Sequence, residues 1–452
     1  MFDFSRDLKR LFATDGPRDG LTGGDASLLE MLDLTLLRAE AKAGDVAAGR
    51  VSARDPSQRR LDAAMVWREL ARRTGDALAI RRAAESAEKA AEGFKREGRN
   101  RGWAAARLEQ AQAALLGAEL FGDDGLNAAA ETALREVRKV APSSAVSSIA
   151  SGRLARLEVR DALAAGDYAQ VLAAAAKFDT PIMALEGHLK VRAVGKVEVA
   201  HLRCDRAELL LAAGARLKDT RLYHTALEGM DILAERLDPT YEPLTWARVQ
   251  EVRGAALCGL GDLSGQVEDV IDGIEVMVEA LEAGGPDHSP LDWARLQHAM
   301  AHGLETLGEA SDADRAFEHA LGAYDRALWA TREQPALGLR VALSQNRAGC
   351  LARRAEMAAD VGLLDEAVNS LRGELANQSA GLDPVGWAVA QVNLARLYEA
   401  RMQLPGANGD ERSAAVLALS AALDVFGEHG LRTLSDQAAR GLERLGAAGA
   451  SL

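Results

Sequence analysis

The sequence predicts an all-α protein, an α-solenoid of stacked antiparallel helix hairpins, and three observations carry that reading. PLTWARVQ at 243–250 and PLDWARLQ at 290–297 differ at two of eight positions and begin 47 residues apart, so one structural unit is written more than once. Hydrophobic residues make up 48% of the 452 but aromatics only 4%, and Ala, the best helix former and a poor strand residue, dominates the apolar set. Within a unit the apolar residues recur at three and four, as in Ala320, Ala323, Tyr324, Ala327 and Leu328, which lines them up along one helical stripe.

Taken in order, residues 1–24 hold a short amphipathic helix and a Gly-rich linker, with Phe4, Leu8, Leu11 and Phe12 on one face and Arg6, Lys9 and Arg10 elsewhere. Three uses are open to that helix: covering the first hairpin, docking on a partner protein, or making a weak contact with an anionic membrane. Residues 25–58 form an N-terminal helical cap around one long helix, 28–50. The repeat array spans 59–432. Steps of about 47 residues from Trp246 land on Trp293, Val341 and Trp387, and four positions beyond each mark stand Gln250, Gln297, Gln345 and Gln391. Eight positions beyond stand the small Gly254, Ala301, Gly349 and Ala395, and a second small set, Gly273, Ala320, Ala367 and Ala414, keeps the same step. Helices whose axes approach closely cannot carry bulky side chains at the crossing, so these residues mark where the two helices of a hairpin meet. Gly-centred turns at Gly261-Asp262 and Gly308-Glu309 join the helices, Gly214 closes another first helix, and Pro239, Pro243, Pro290, Pro335 and Pro384 fall in the links between hairpins. Upstream the marks fall near Val199, Ser151 and Trp103, and Trp67 opens one more hairpin, making seven or eight in all. Residues 433–452 end the array as a capping helix and tail, its Ser435, Asp436, Gln437, Arg440 and Glu443 suited to closing a stack against solvent.

The run Trp387-Ala388, Gln391, Asn393-Leu394-Ala395, followed by a turn and an Ala-rich second helix, resembles the tetratricopeptide repeat (TPR) in a long-period variant found in bacterial proteins. GDYAQVLAAA at 166–175 is similar to that family's turn and second-helix opening. The resemblance spans roughly four-fifths of the chain, and it implies a TPR-like superhelix that binds a partner segment in its concave face. The usual unit has about 34 residues, so the second helix or the turn here is expected to be longer. Carried onto this chain, the residue after each repeated Gln and those four and seven beyond it face the groove: Glu251, Ala255 and Cys258; His298, His302 and Glu305; Asn346, Cys350 and Arg353; Val392, Arg396 and Glu399. The partner-binding residues are thus expected to be Glu251, His298, His302, Glu305, Asn346, Arg353, Arg396 and Glu399.

Composition narrows the function by exclusion. With 54 Lys+Arg against 67 Asp+Glu the chain carries −13, which opposes general nucleic-acid binding. Cys204, Cys258 and Cys350 stand far apart in helical patterns and read as small buried hydrophobes in a reducing compartment. No stretch approaches the 18 to 20 or so apolar residues of a membrane helix, and the N-terminus lacks a signal-peptide core, so the expected location is the cytoplasm. Phosphate-loop, nucleophile-elbow, zinc-helix and calcium-loop motifs are missing, and no cofactor is implied. His298, His302 and Glu305 share one helix face and could in principle hold a divalent metal, yet no fourth group is implied elsewhere, and no metal site is assigned. Trp246, Trp293 and Trp387 recur at the repeat interval and read as packing residues. The resulting expectation is a non-catalytic scaffold or adaptor for a protein partner, with self-association open. The alternatives are a sensor of a signalling peptide or small effector and, behind it, a metal-dependent enzyme.

Overall fold

The computed structural model describes residues 27–49, 55–121, 123–165, 168–190, 196–332, 337–377, 384–406 and 410–449. The short helix expected within 1–24 and the Gly166-Asp167 turn lie outside them. Among the described residues there is no strand. The chain opens with α1 (Ser27–Glu30) and α2 (Leu34–Gly49). The hairpins follow: α3 (Pro56–Thr74) with α4 (Ala77–Arg96), α5 (Asn100–Phe121) with α6 (Asp124–Val140), and α7 (Ala145–Ala165) with a divided partner, α8 (Tyr168–Ala176) and α9 (Asp179–Lys190). Then come α10 (Lys196–Leu217) with α11 (Thr220–Ala234), α12 (Pro243–Ser264) with α13 (Val267–Ala283), and α14 (Pro290–Ser311) with α15 (Asp314–Ala330). The series ends with α16 (Leu337–Ala358) and α17 (Val361–Asn377), α18 (Pro384–Gln403) and α19 (Asp410–Glu428), and the single α20 (Arg432–Gly449). This is an all-α solenoid of helix pairs. It divides into two compact units, residues 1–303 with 330–336, and residues 304–329 with 337–452.

The turns repeat atom for atom. Backbone N–H groups of Asp219, Gln266, Ala313 and Asp360 donate to the carbonyls of Gly214, Gly261, Gly308 and Ala355 at 3.0 to 3.1 Å, each bond 47 residues after the last. The residue before each donor, Lys218, Gly265, Asp312 or Ala359, adopts positive φ (49° to 73°) and ends the first helix in a left-handed cap. The turns therefore fall about four residues later than the glycines suggested, and the helices run straight through Gly214, Gly261 and Gly308. Those glycines serve contact instead: a Cβ on Gly261 would lie 2.6 Å from Val270 Cγ2, and one on Gly308 would lie 2.7 Å from the Phe317 ring. The extra length over the shorter TPR unit resides in both helices, 22 residues in α12, α14 and α16 and 17 in α13, α15 and α17, while the turn stays tight.

The small-residue register holds at the crossings. Gly254 and Gly273 meet so closely that a Cβ on either would sit 2.7 Å from the other's carbonyl oxygen. Ala301, Ala320 and Ala395 are fully buried at the same step. In α19 the register slips by one, Ala414 being half-buried and Ala415 fully buried. First helices such as α12 bury residues all round their circumference, whereas second helices such as α4 bury one stripe, Ala79, Ile80, Ala83, Ala87, Ala90 and Phe94. Trp246 is buried, Trp387 packs against the core of the second unit, and Trp67 donates from Nε1 to Asp45 Oδ1 at 3.1 Å.

One expected element divides. The helix foreseen over 28–50 breaks at residues 31–33, because the Asp33 carboxylate accepts the Leu36 N–H at 2.8 Å and starts a new helix. The carbonyls this frees are taken by the fully buried Arg73, whose guanidinium donates to Leu32 O at 2.6 Å and Leu29 O at 2.5 Å.

Candidate partner-binding inner wall

The first unit holds a buried network of its own charges. Asp205, fully buried on α10, receives Arg248 at 2.9 Å and Arg156 at 3.2 Å, with Arg153 closer still. Burial pushes this carboxyl up, but the three guanidiniums outweigh burial and hold it well below the usual carboxylate range. Arg248 also bonds Glu208 at 2.7 Å, and Arg68 pairs with Glu109. Other pairs join hairpins far apart in sequence. Arg72 on α3 donates to both oxygens of Asp292 on α14, at 2.8 and 2.7 Å, and Arg295 reaches Glu119 on α5 at 2.8 Å. Buried Glu30 on α1 accepts the N–H groups of Leu244 and Thr245, at 3.0 and 2.9 Å, together with the Thr245 hydroxyl, so its carboxyl caps the N-terminus of α12. His288 Nε2 lies 2.8 Å from the Glu30 carbonyl oxygen. Within this unit the first and second hairpins therefore meet α14, and α1 meets α12.

Glu251 stands beside this network, half-buried, its carboxyl raised to about 7 by burial and then by the charge of Glu208. Glu198 is likewise raised by burial, and His201 is held well below its ordinary value by burial and by Arg248 and Arg153. Sequence reasoning missed Glu30, Asp205, Arg72 and Asp292. Arg248 and Arg295 were visible as the repeated arginine of PLTWARVQ and PLDWARLQ.

The remaining expected groove residues fall as follows. His298 and His302 stand on α14 with ring centroids 4.8 Å apart, and burial lowers His298 to about 4 and lowers His302 as well. Glu305 accepts the Tyr324 hydroxyl of its own hairpin and is raised to about 7 by burial. Among the described residues no group of three His, Cys, Asp or Glu is placed to hold a metal ion. Asn346 is half-buried on α16, and Arg353 is 52% exposed, paired with Glu309 at 2.9 Å. Arg396 donates to the Gln345 carbonyl at 2.7 Å, and burial lowers its guanidinium. Glu399 pairs with Arg444 of α20 at 3.3 Å. Three lining positions are corrected: Cys258 and Cys350 are buried in helix seams, their thiols against the carbonyls of Val270 and Phe317, and Val392 is buried too. All three cysteines are free and buried.

No protein-family model matches the chain, and no curated protein matches it. Among solved structures, one described as a circular tandem repeat protein with novel repeat topology and enhanced subunit contact surfaces aligns with 86% of this chain and 96% of its own, at 15% identity and a TM-score of 0.28. A likeness of that strength carries no argument. The coordinates themselves define the class, a helical-repeat protein. Among the described residues no helix is long and apolar enough to cross a membrane.

Proposed function

We propose that this is a non-catalytic, TPR-like scaffold of the cytoplasm that holds an extended segment of a partner protein along its inner wall. The observation that carries the reading is the polar ladder of the second unit, where Asn346 and Arg353 on α16 and Arg396 and Glu399 on α18 stand on successive first helices. Adjacent rungs are joined, Asn393 Nδ2 to Ser344 Oγ at 2.8 Å and Arg396 to Gln345 O, which holds the first helices in fixed spacing. Arg353 pairs with exposed Glu309 and Glu399 with exposed Arg444, and pairs near the surface are worth about 0 to 1 kcal/mol, so exchanging them for a partner's charges costs little. The enclosed network of the first unit supports a division of labour, with that unit stiffened by its own charges.

Photo-crosslinking tests the reading. A crosslinking residue in place of Arg353 should capture one defined protein, one placed at exposed Leu78 should not, and Arg396→Glu with Glu399→Lys should abolish capture at unchanged helicity. Equal capture from both positions, or capture that survives the charge reversal, would refute an inner-wall site.

A further inference from the structure

At two exposed positions α13 departs from the same positions of the neighbouring second helices, whose own exposed apolar residues, Ile232 and Trp329, stand elsewhere on their helices. At two outward positions the repeat register reads His224, Ile271, Glu318, Asp365 and Asp231, Val278, Asp325, Arg372, polar or charged everywhere except on α13. In α11 and α15 the second of these is an aspartate bonded to an arginine 22 residues on, Asp231 to Arg253 and Asp325 to Arg347, each at 2.6 Å. On α13 both members of that pair are apolar, Val278 and Met300. Met300 is buried, but Ile271 and Val278 stand 40% and 43% exposed. Seven residues apart, they lie on one line of the helix with Glu275 and Glu282.

The charge on the same helix is equally distinct. VEDVIDGIEVMVEALEA contains six carboxylates and no cation. None of the six makes an ion pair or side-chain hydrogen bond among the described residues, unlike Asp231, Glu318 and Asp325 of its neighbours. Glu268 with Asp272 and Glu275 with Glu279 are like-charge pairs at i,i+4, which weaken a helix by about 0.2–0.5 kcal/mol each. Glu279 and Glu282 add negative charge beside the helix's own C-terminal carbonyls. The core face, Val270, Gly273, Met277 and Ala280, holds the helix in place regardless.

We infer that the outer face of α13 is a second docking surface, separate from the inner wall, and that its occupant is a basic amphipathic helix of a partner protein. Apolar residues of that helix cover Ile271 and Val278, and its lysines or arginines answer the carboxylates that this chain leaves uncompensated.

The test uses the full-length chain and a synthetic 14-residue helix with leucines on one face and lysines along both edges, read by fluorescence anisotropy at two salt concentrations. Ile271→Glu with Val278→Asp restores residues of the kind used at these positions in α15, so the variant keeps its fold, which circular dichroism checks. Saturable binding that weakens about tenfold or more in this variant, and again with Glu275→Lys and Glu282→Lys, is expected. Equal affinity of wild type and both variants, or equally tight binding of a scrambled peptide of the same composition, overturns the inference. So does wild-type dimerisation lost in the Ile271→Glu variant, which assigns the face to a second copy. A rise in peptide affinity on Leu8→Asp with Leu11→Asp also overturns it, by assigning the face to the chain's own N-terminal segment.

Discussion

Glu30→Ala tests whether the first unit is closed by its own N-terminal helix. The carboxyl is 4% exposed and takes two backbone N–H groups and a hydroxyl at the start of α12. Truncation removes a helix cap, about 1 kcal/mol, and strands buried donors at about 1–3 kcal/mol each, so a loss of about 3–5 kcal/mol is expected after partial rehydration. Urea denaturation gives the loss, and hydrogen exchange should quicken in 27–49 and in the first turn of α12 and nowhere near α18. The carboxyl also has a pH signature. Burial, the largest influence, raises it from 4.5 to about 7 against the Thr245 hydrogen bonds. The folded state therefore binds a proton that the unfolded state releases between those values. The stability this adds is fully present below about 4.5 and is lost as pH rises through about 7. The advantage of wild type over Glu30→Gln, which cannot titrate, should accordingly be larger at pH 5.5 than at pH 8. A loss under about 0.5 kcal/mol for Glu30→Ala, with exchange unchanged around Thr245, would refute the closure.

Other expectations follow from the same packing. Asp205→Ala leaves three guanidiniums facing one another in the network and should destabilise the first unit by about 3–5 kcal/mol in urea titration. Gly254→Val should overpack the α12–α13 crossing by at least about 1–3 kcal/mol, because the atom in the way is the Gly273 carbonyl oxygen, 2.7 Å from the new Cβ, and backbone cannot step aside. Ala320→Trp should act similarly in the second unit, since Ala320 is fully buried. Burial pushes the Cys204 and Cys258 thiols up to about 12, so native protein at pH 8 should resist iodoacetamide that labels it fully in urea, as mass spectrometry would read.

Much of the fold was legible in the chain, and particular residues show why. Apolar spacing within α15 and small residues at 254, 273, 301 and 320 are local signals. Each reports a helix face or a crossing whose cause lies within one hairpin. Pro243, Pro290 and Pro384, expected in the links, instead open α12, α14 and α18 as their first residues, where a proline's missing N–H costs no helical bond. The turns were misplaced by about four residues because Gly261 and Gly308 look like caps, while the actual left-handed positions include Lys218, Asp312 and Ala359. A glycine needed for close approach and one needed for positive φ are the same letter.

The candidate wall was legible only as register. Glu305 and Cys350 stand at groove positions by count, yet one is bonded to Tyr324 and the other is buried against Phe317, because small changes in helix rotation decide which side of a seam a residue takes. By itself the sequence determined the hairpin, its 47-residue length and its contact residues, since these depend on interactions within a unit or with the next one. Only the tertiary structure decided that Glu30 meets Thr245 and Arg72 meets Asp292. Contacts across more than 200 residues depend on the small rotation added at every hairpin interface, and the sum of those rotations is written in no single repeat.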